Sequence, residues 1–401
     1  MVSADASQQE LRWLAIFTRD PVLKEIYDLG LDMHSRVCCQ IYGLNYEMFE
    51  EIRNHKGESA QETQENIKAI LEKWAKTEDV KCALALYNQR YNTNYNDLTD
   101  ESVVRLSEMF ELLRKMTKTT VFGTIYGISA VGLSEQLEIS KEEAQQLIDG
   151  FKAGLPYYSK WEAETNRKIM TEGFVETALG RKRRFGETIA EAMQDEMYKK
   201  RGYHWKIEKA KRQGGNAQIQ GSSADQIKLA MVNMFYPVRP DGTRCFDREE
   251  WVREGYKSLL EKYDMHLVIQ VHDEVIVDAP LDVPPEATQA IAECICNAIP
   301  NDVGISFKSD VEIGPYWSAK FSQEQLQQLR DGSLDWREVF EEEVRVKLAK
   351  FGIEYRKGMF EEISEEEAHA VLTFAKEGLE YKAGLLADED DDDEEERSHD
   401  S

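Results

Sequence analysis

The sequence lacks the features that mark a secreted, disulfide-bonded or membrane protein. Its six cysteines, Cys38, Cys39, Cys82, Cys245, Cys294 and Cys296, form no CxxC pair and no zinc-ligand spacing. This pattern predicts reduced thiols rather than a disulfide framework or a zinc site. No apolar run approaches the ~20 residues needed to cross a bilayer, and the first residues do not resemble a secretory signal. We therefore expect a soluble, cytoplasmic protein with no membrane partner.

The chain lacks net positive charge: its 401 residues include 50 Lys or Arg against 76 Asp or Glu, a formal net charge of -26. The distribution matters more than the sum: residues 321–401 contribute -15 and residues 1–320 only -11. Between Arg181 and Arg212 there are 11 Lys or Arg against 5 acidic residues, with Tyr198, Tyr203 and Trp205 interleaved. Local positive charge neutralises phosphates and aromatic rings stack on bases, so this segment is a candidate nucleic-acid contact. A solvated charged face is the commoner meaning of such a run, and this alternative stays open.

The length gives room for two or three domains with a sizeable core. The first ten residues predict a strand that leads into an amphipathic helix. Helical spacing continues through 24–53, and residues 44–104 have the pattern of a helical insertion. A long helix is expected from Asp100 to about Tyr126, and hairpins are expected at 173–185 and 267–277.

Asp5 and Asp273 each end an apolar, strand-like run. Pairing of the two strands would bring their carboxylates together. Two carboxylates on adjacent strands suit a hard divalent cation such as Mg²⁺, with substrate phosphates completing the octahedron. The string His272-Asp273-Glu274 is weak support by itself, because a buried hydrogen-bonded His–Asp pair is commoner than a metal site.

Two further sets of residues repeat every four positions and so occupy one helix face each. The first is Arg114, Lys118, Phe122 and Tyr126. Its two cations suit a triphosphate and its two rings a planar base, although an ordinary amphipathic helix explains the same spacing. The second set is Arg212, Asn216 and Gln220, which could read the shared acceptors of a duplex minor groove or could form a polar helix start.

The order of these motifs resembles the polymerase region of family A DNA polymerases across residues 1–320. The matching strings are DASQQELR at 5–12, RKMTKTTVFGTIYG at 114–127, VETALGRKRRF at 175–185, NAQIQGSSAD at 216–225 and LVIQVHDEVIV at 267–277. The resemblance implies an α+β fold with an antiparallel palm sheet and a large helical fingers domain. The expected domains are palm at 1–25, fingers at 26–205 with the insertion at 44–104, and palm again at 206–320.

Beyond residue 320, periodicity and charge predict an acidic helical extension at 321–387. The composition of 388–401, which holds ten acidic residues, predicts a disordered acidic tail. The tail could serve solubility alone, dock on a basic replisome protein, or compete with DNA for a basic groove.

The resemblance also implies roles for individual residues. Asp5 and Asp273, with the backbone carbonyl of Ala6, would bind two Mg²⁺ ions, and Lys118 and Glu274 would join them in catalysis. The dNTP would be bound by Arg114, Lys118, Phe122, Tyr126, His34 and Glu10. Primer-template DNA would be held by Arg212, Asn216, Gln220, His272 and Arg181.

The implied activity is template-directed DNA synthesis, with Glu10 excluding the 2′-hydroxyl of a ribonucleotide. A non-catalytic replisome scaffold on a retired polymerase fold is the alternative. Because the family's thumb is absent upstream of Asp5, we expect a separate N-terminal subunit, possibly with an exonuclease, as in a split bacteriophage polymerase acting in the host cytoplasm. A truncated chain is the competing explanation. Since only Met1 to Ala4 precede Asp5, we also expect the first strand to fray without that subunit.

Overall fold

The structure is a computed structural model that describes residues 1–202, 204–280, 282–315 and 320–349. Tyr203, the predicted acidic tail at 388–401 and most of the predicted extension lie outside these residues. The chain divides into two compact units, Met1–Glu312 and Ile313–Ser401.

The strands are β1 Val2–Ala6, β2 Phe174–Glu176, β3 Lys182–Arg184, β4 His266–Val271, β5 Glu274–Asp278 and β6 Ser309–Ile313. The helices of the first unit are α1 Gln9–Thr18, α2 Pro21–Leu29, α3 Met33–Tyr42, α4 Tyr46–Arg53, α5 Ala60–Trp74, α6 Glu78–Tyr91, α7 Asp100–Ile125, α8 Ala130–Leu137, α9 Lys141–Gly154, α10 Tyr158–Glu172, α11 Gly186–Gln194, α12 Glu196–Arg201, α13 Trp205–Phe235, α14 Arg248–Glu254, α15 Leu259–Lys262 and α16 Pro285–Cys296. The second unit contains α17 Gln323–Asp331 and α18 Trp336–Ala349.

The main sheet has the strand order β4-β5-β1-β6, and β1 and β4 both pair antiparallel with β5. Strand β1 alternates strictly: Val2, Ala4 and Ala6 are fully buried, while Ser3 and Asp5 are half-buried on the other face. This alternation places the hydrophobic side chains in the core and leaves Asp5 on the opposite face. The expected palm sheet and the α+β class are confirmed.

The expectation of a frayed first strand is wrong. Strand β1 is an interior strand with neighbours on both sides, β5 and β6. The Ser7 N–H also donates to the Lys308 carbonyl at 3.0 Å. The segments that hold Asp5 in place lie more than 260 residues later in the sequence. The small number of residues before Asp5 therefore does not leave its strand unpaired.

Helix α13 packs against α1, α10, α11 and α16, and α16 in turn packs against β1. One polar network ties α1 to it: Gln9 and Trp13 both donate to the side-chain carbonyl of Gln226, at 3.0 and 2.8 Å. The Gln226 amide then donates to the Ile295 carbonyl at 2.9 Å. A buried amide whose donors and acceptor are satisfied fixes the register between these helices.

Helix α7 is 26 residues long and begins with a capping box at Thr99. Its buried face packs on α3 and α4, where Phe110 stacks on Phe49 with ring centroids 4.4 Å apart. The segment 44–104 is helical through α4, α5 and α6. That it is an insertion stays a prediction.

The two predicted hairpins are present as β2–β3 and β4–β5. In the second unit, Ser322 caps α17 and Trp336 packs edge-on against Phe340, with centroids 6.1 Å apart. Within the described residues, no helix has both the length and the apolar character needed to span a membrane.

Candidate active site

The Asp5 and Asp273 motifs meet at one end of the sheet. Asp5 lies opposite Glu274 in the β1–β5 register, and the Ala6 N–H donates to the Asp273 carbonyl at 3.1 Å. Ser3 donates its hydroxyl to the Glu274 carboxylate on the same face. The strand pairing therefore brings the two carboxyl-bearing segments side by side, as their strand-like sequences predict.

Asp273 sits in the tight turn between β4 and β5. Its neighbour His272 is exposed and has a φ of +52°, in the left-handed region that non-glycine residues rarely adopt. The Gln270 amide donates to the His272 carbonyl at 2.6 Å. This side-chain bond stabilises a two-residue hairpin turn, a type of turn in which a positive φ is common.

Negative charge accumulates around Asp5. Burial, followed by repulsion from Asp273, Glu274, Asp310 and Glu312, raises the pKa of Asp5 to about 6. Among the described residues, no three acidic, histidine or cysteine side chains are grouped so as to hold a metal ion. The donor set is instead a pair of hard carboxylate ligands, which is how proteins bind Mg²⁺ that also coordinates substrate phosphates. The side chains present therefore fit the predicted ions.

The fingers face of α7 has the predicted arrangement. Lys118 is exposed, whereas Arg114 and Phe122 are half-buried. The rings of Phe122 and Tyr126 are nearly parallel, 27° apart, with centroids separated by 6.3 Å. The His34 ring lies 5.7 Å from that of Phe122, so the predicted phosphate and base contacts are neighbours.

His34 is 4% exposed, and its Nδ1 has no partner among the described residues. Burial, with the nearby positive charges of Arg114 and Lys118, lowers the pKa of His34 to about 4. The imidazole is therefore neutral at pH 7. A neutral, buried ring with one unpaired nitrogen is available for a hydrogen bond to a ligand.

The sequence reasoning missed Asp32, the partner of Arg114. Its carboxylate accepts from Arg114 Nη2 at 2.7 Å and Nε at 3.2 Å, and it also caps α3 through the Ser35 N–H at 2.7 Å. Burial by itself would raise the pKa of Asp32, but the bonds from Arg114 and Ser35 lower it to about 2. The only sequence signal is an aspartate at the helix N-cap position, which does not reveal a partner 82 residues away.

Glu10 connects the first motif to the end of the fingers helix. The Tyr126 hydroxyl donates to the Glu10 carboxylate. Burial, and then this hydrogen bond, raise the pKa of Tyr126 above its usual range. The two predicted nucleotide-binding residues are thus joined by a hydrogen bond.

One open cleft of about 840 Å³ collects residues from all of the motifs. Its lining includes Glu10, Tyr126, Arg181, Gln220, His272 and Asp273. Arg212 does not line this cleft: it borders a separate cavity of about 270 Å³, together with Trp161 and Gly127. Asn216 lies between the two on α13, and its buried Oδ1 has no partner among the described residues.

A second missed residue is Asp225, which fixes Arg181 in the cleft. Asp225 accepts from Arg181 Nε at 2.8 Å and from the Thr177 hydroxyl at 2.6 Å. Arg181 Nη2 also donates to the Gly221 carbonyl at 3.0 Å. Asp225 therefore links the hairpin β2–β3 to α13 and sets the direction of the guanidinium.

Known DNA polymerases match this chain. The family model described as DNA polymerase family A matches residues 96–319. DNA polymerase I of Chloroflexus aurantiacus is 32% identical over 204 residues, which cover 51% of this chain and 18% of that protein. The thermostable DNA polymerase I of Thermus filiformis is 26% identical over 314 residues, covering 78% of this chain and 26% of that protein. The chain thus spans about a quarter or less of the length of these relatives.

A solved structure shows the same fold. The POL domain of Pol1 from M. smegmatis, in complex with DNA primer-template and dNTP, superposes with a TM-score of 0.51 at 24% sequence identity. The match covers 80% of this chain and 40% of that chain. Since the family model covers more than half of the sequence, including the fingers helix and the Asp273 hairpin, this chain belongs to DNA polymerase family A.

Proposed function

We propose that this chain carries out template-directed DNA synthesis, joining a deoxynucleotide from a dNTP to a primer 3′-hydroxyl. The strongest support is the pairing of the Asp5 strand with the Asp273 hairpin, beside a cleft that Asp273, Glu10 and Tyr126 line. The solved relative with this fold was bound to DNA primer-template and dNTP. The motif spacing and the family membership support the same chemistry.

Asp5, Asp273 and the Ala6 carbonyl would hold two Mg²⁺ ions. Bound there, the ions would lower the pKa of the primer hydroxyl and stabilise the charge on the leaving pyrophosphate. Asp5 must be ionised to serve as a ligand. With a pKa of about 6, it is largely ionised above neutral pH even before a cation reduces the repulsion.

The fingers residues would bind the triphosphate and the base. Lys118 is exposed on α7 and can reach a phosphate as a point charge. Arg114 uses two of its five N–H donors on Asp32, which leaves about three for phosphate oxygens. Phe122 and Tyr126 present ring faces for stacking, and the Glu10 carboxylate would occupy the space of a 2′-hydroxyl.

Arg181, Gln220 and His272 would contact the primer-template in the cleft, and Arg212 and Asn216 would extend these contacts along α13. Glu274 would support the metal-binding turn. We also propose that the acidic C-terminal segment contacts a replisome protein.

Primer extension tests the proposal. The full chain is incubated with labelled primer-template, dNTPs and MgCl₂. We expect Asp273→Asn to reduce extension at least ~100-fold, because one ligand to the charge-stabilising ions is lost. Asp302→Asn is the matched control. Asp302 is exposed, does not line the cleft, and forms an ion pair with Arg19 in which Nη2 and Oδ2 are 2.6 Å apart.

Full extension by Asp273→Asn would contradict the catalytic assignment and favour a scaffold.

A further inference from the structure

The row of predicted DNA contacts on α13 continues beyond Arg212. Trp205, Lys209, Arg212, Asn216 and Gln220 follow one another at spacings of 4, 3, 4 and 4, which places all five along one helix face. We call this row the α13 stripe. Trp205 is 38% exposed, and Lys209, Arg212 and Gln220 are also exposed.

The stripe has a defined direction relative to the active site. Gln220 lines the cleft together with Asp273. Farther along, the Arg212 side chain packs against the residue after Tyr126: a Cβ on Gly127 would lie 2.5 Å from Arg212 Cγ. At ~1.5 Å per residue, Trp205 is about 10 Å beyond Arg212 and about 22 Å from Gln220. The stripe therefore begins beside Asp273, passes the predicted template position at Tyr126, and ends at Trp205, at the N-terminal end of α13.

The Trp205 end of the stripe lies in the most basic part of an acidic chain. Residues 196–212 contain seven Lys or Arg and two acidic residues, although the whole chain carries -26. Lys199, Lys200 and Arg201 are exposed at the end of α12. Within the described residues, Lys209 has no ion-pair partner. By its charge alone, such a cluster could be a solvated face or a site for a partner with negative charge.

The start of α13, which carries Trp205, is anchored by a hydrophobic cluster. Ile207 and Ala210 on the inner face of α13 belong to a buried cluster with Phe185 and Ile189. His204 caps α13, because its side chain accepts a hydrogen bond from the Lys206 N–H at 3.2 Å. The His204 ring also stacks on that of Trp205, with centroids 6.0 Å apart and an angle of 21° between the ring planes. The Lys206 ammonium also lies 5.9 Å from the indole centroid. Because two neighbours flank the ring, the indole is held in place, and its exposed part is the surface on which a base can stack.

We propose that Trp205, Lys209 and the basic end of α12 bind the single-stranded template before it enters the active site. This inference rests on the proposed function. Surfaces that bind single strands combine cations along the backbone path with aromatic rings on which bases stack, and this segment offers both. The ~10 Å between Arg212 and Trp205 corresponds to about three stacked nucleotides at ~3.4 Å each. An indole platform also favours a nucleic acid over an acidic protein segment, which would need only the cations.

The test is a binding measurement that requires no catalysis. The full chain is titrated, in the absence of dNTP, into a fluorescent hairpin primer-template with a 5′ overhang of one or eight thymidines, and anisotropy is recorded over a salt series. The variants are Trp205→Ala, Trp205→Phe and Lys209→Gln. Lys68→Gln is the charge-matched control, because the Lys68 side chain is 76% exposed on α5.

We expect the eight-nucleotide overhang to bind more tightly than the one-nucleotide overhang. Trp205→Ala should weaken binding of the long overhang about fivefold, at the lower end of the range for one base–aromatic stack, and leave the short overhang unchanged. Trp205→Phe should retain most of the affinity. Lys209→Gln should reduce the slope of log K against log salt by about 0.7, whereas Lys68→Gln should not change it.

Three results would overturn the proposal: equal affinity for both overhangs, equal losses for both in Trp205→Ala, or competition by an oligoglutamate as effective as that by oligothymidine of equal charge. The last result would assign the surface to an acidic protein. Asp273→Asn should keep the overhang dependence, so a failure of primer extension with intact overhang binding counts against the proposed function and not against this surface.

Discussion

Asp5→Asn keeps the shape of the side chain and removes a negative charge that neighbouring carboxylates repel. The pKa of Asp5 is raised from 3.8 to about 6 by burial and by Asp273, Glu274, Asp310 and Glu312. Because the folded-state pKa lies above the unfolded one, the native state holds the Asp5 proton more tightly. Stability therefore falls as the pH rises from about 4 to about 6, and the ionised carboxylate destabilises the fold above that range.

The size of the effect follows from the shift. About two pKa units correspond to at most ~3 kcal/mol, and solvent screening of this half-buried group reduces the figure to roughly 1 kcal/mol. Asp5→Asn should therefore raise the free energy of unfolding by roughly 1 kcal/mol at pH 7.5, or Tm by about 2 °C, and should give no gain at pH 4. The same substitution should abolish primer extension, since an amide is a poor ligand for Mg²⁺.

Thermal denaturation in EDTA at several values between pH 4 and pH 8 measures this gain. Asp302→Asn is the control: the hydrogen bond from Arg19 lowers the pKa of Asp302, so its removal should not stabilise the fold at any pH. Adding Mg²⁺ should raise the Tm of the unsubstituted protein more than that of Asp5→Asn, because the cation relieves the repulsion. A loss of stability in Asp5→Asn at pH 7.5, or a gain of the same size at pH 4, would refute the reasoning.

Substitutions at three other positions test the nucleotide site and its support. Glu10→Ala should increase incorporation of ribonucleotides relative to deoxynucleotides, because the carboxylate bonded to Tyr126 no longer fills the space of the 2′-hydroxyl; an unchanged ratio in a competition assay would remove the assignment. Phe122→Tyr should improve use of dideoxynucleotides, since the added hydroxyl can replace a missing sugar contact, whereas Phe122→Leu should not, and chain-termination assays measure both. Asp32→Asn should lower the free energy of unfolding by about 1–3 kcal/mol at pH 7, because it removes the charge from the half-buried pair with Arg114; urea denaturation measures the loss, and no loss would show that the pair contributes little to stability.

The sequence by itself determined the local elements of the site. Alternation of small apolar and polar residues in 2–6 specifies a strand with Asp5 on one face, and the four-residue spacing of Arg114, Lys118 and Phe122 specifies one face of a helix. Both patterns act over a few residues, so backbone geometry alone is enough to read them. The order of the motifs also indicated the family, which the family model confirms.

Only the tertiary structure decided how these elements are supported. The strands that flank β1 follow it by more than 260 residues, and for this reason the expected fraying was wrong. The bonds of Asp32 to Arg114 and of Asp225 to Arg181 join residues 82 and 44 positions apart, where no periodicity relates them. The raised pKa of Asp5 likewise depends on burial and on carboxylates from distant strands. Sequence patterns fix which groups are present and which face they share, whereas their charge state and orientation depend on neighbours that only folding brings within reach.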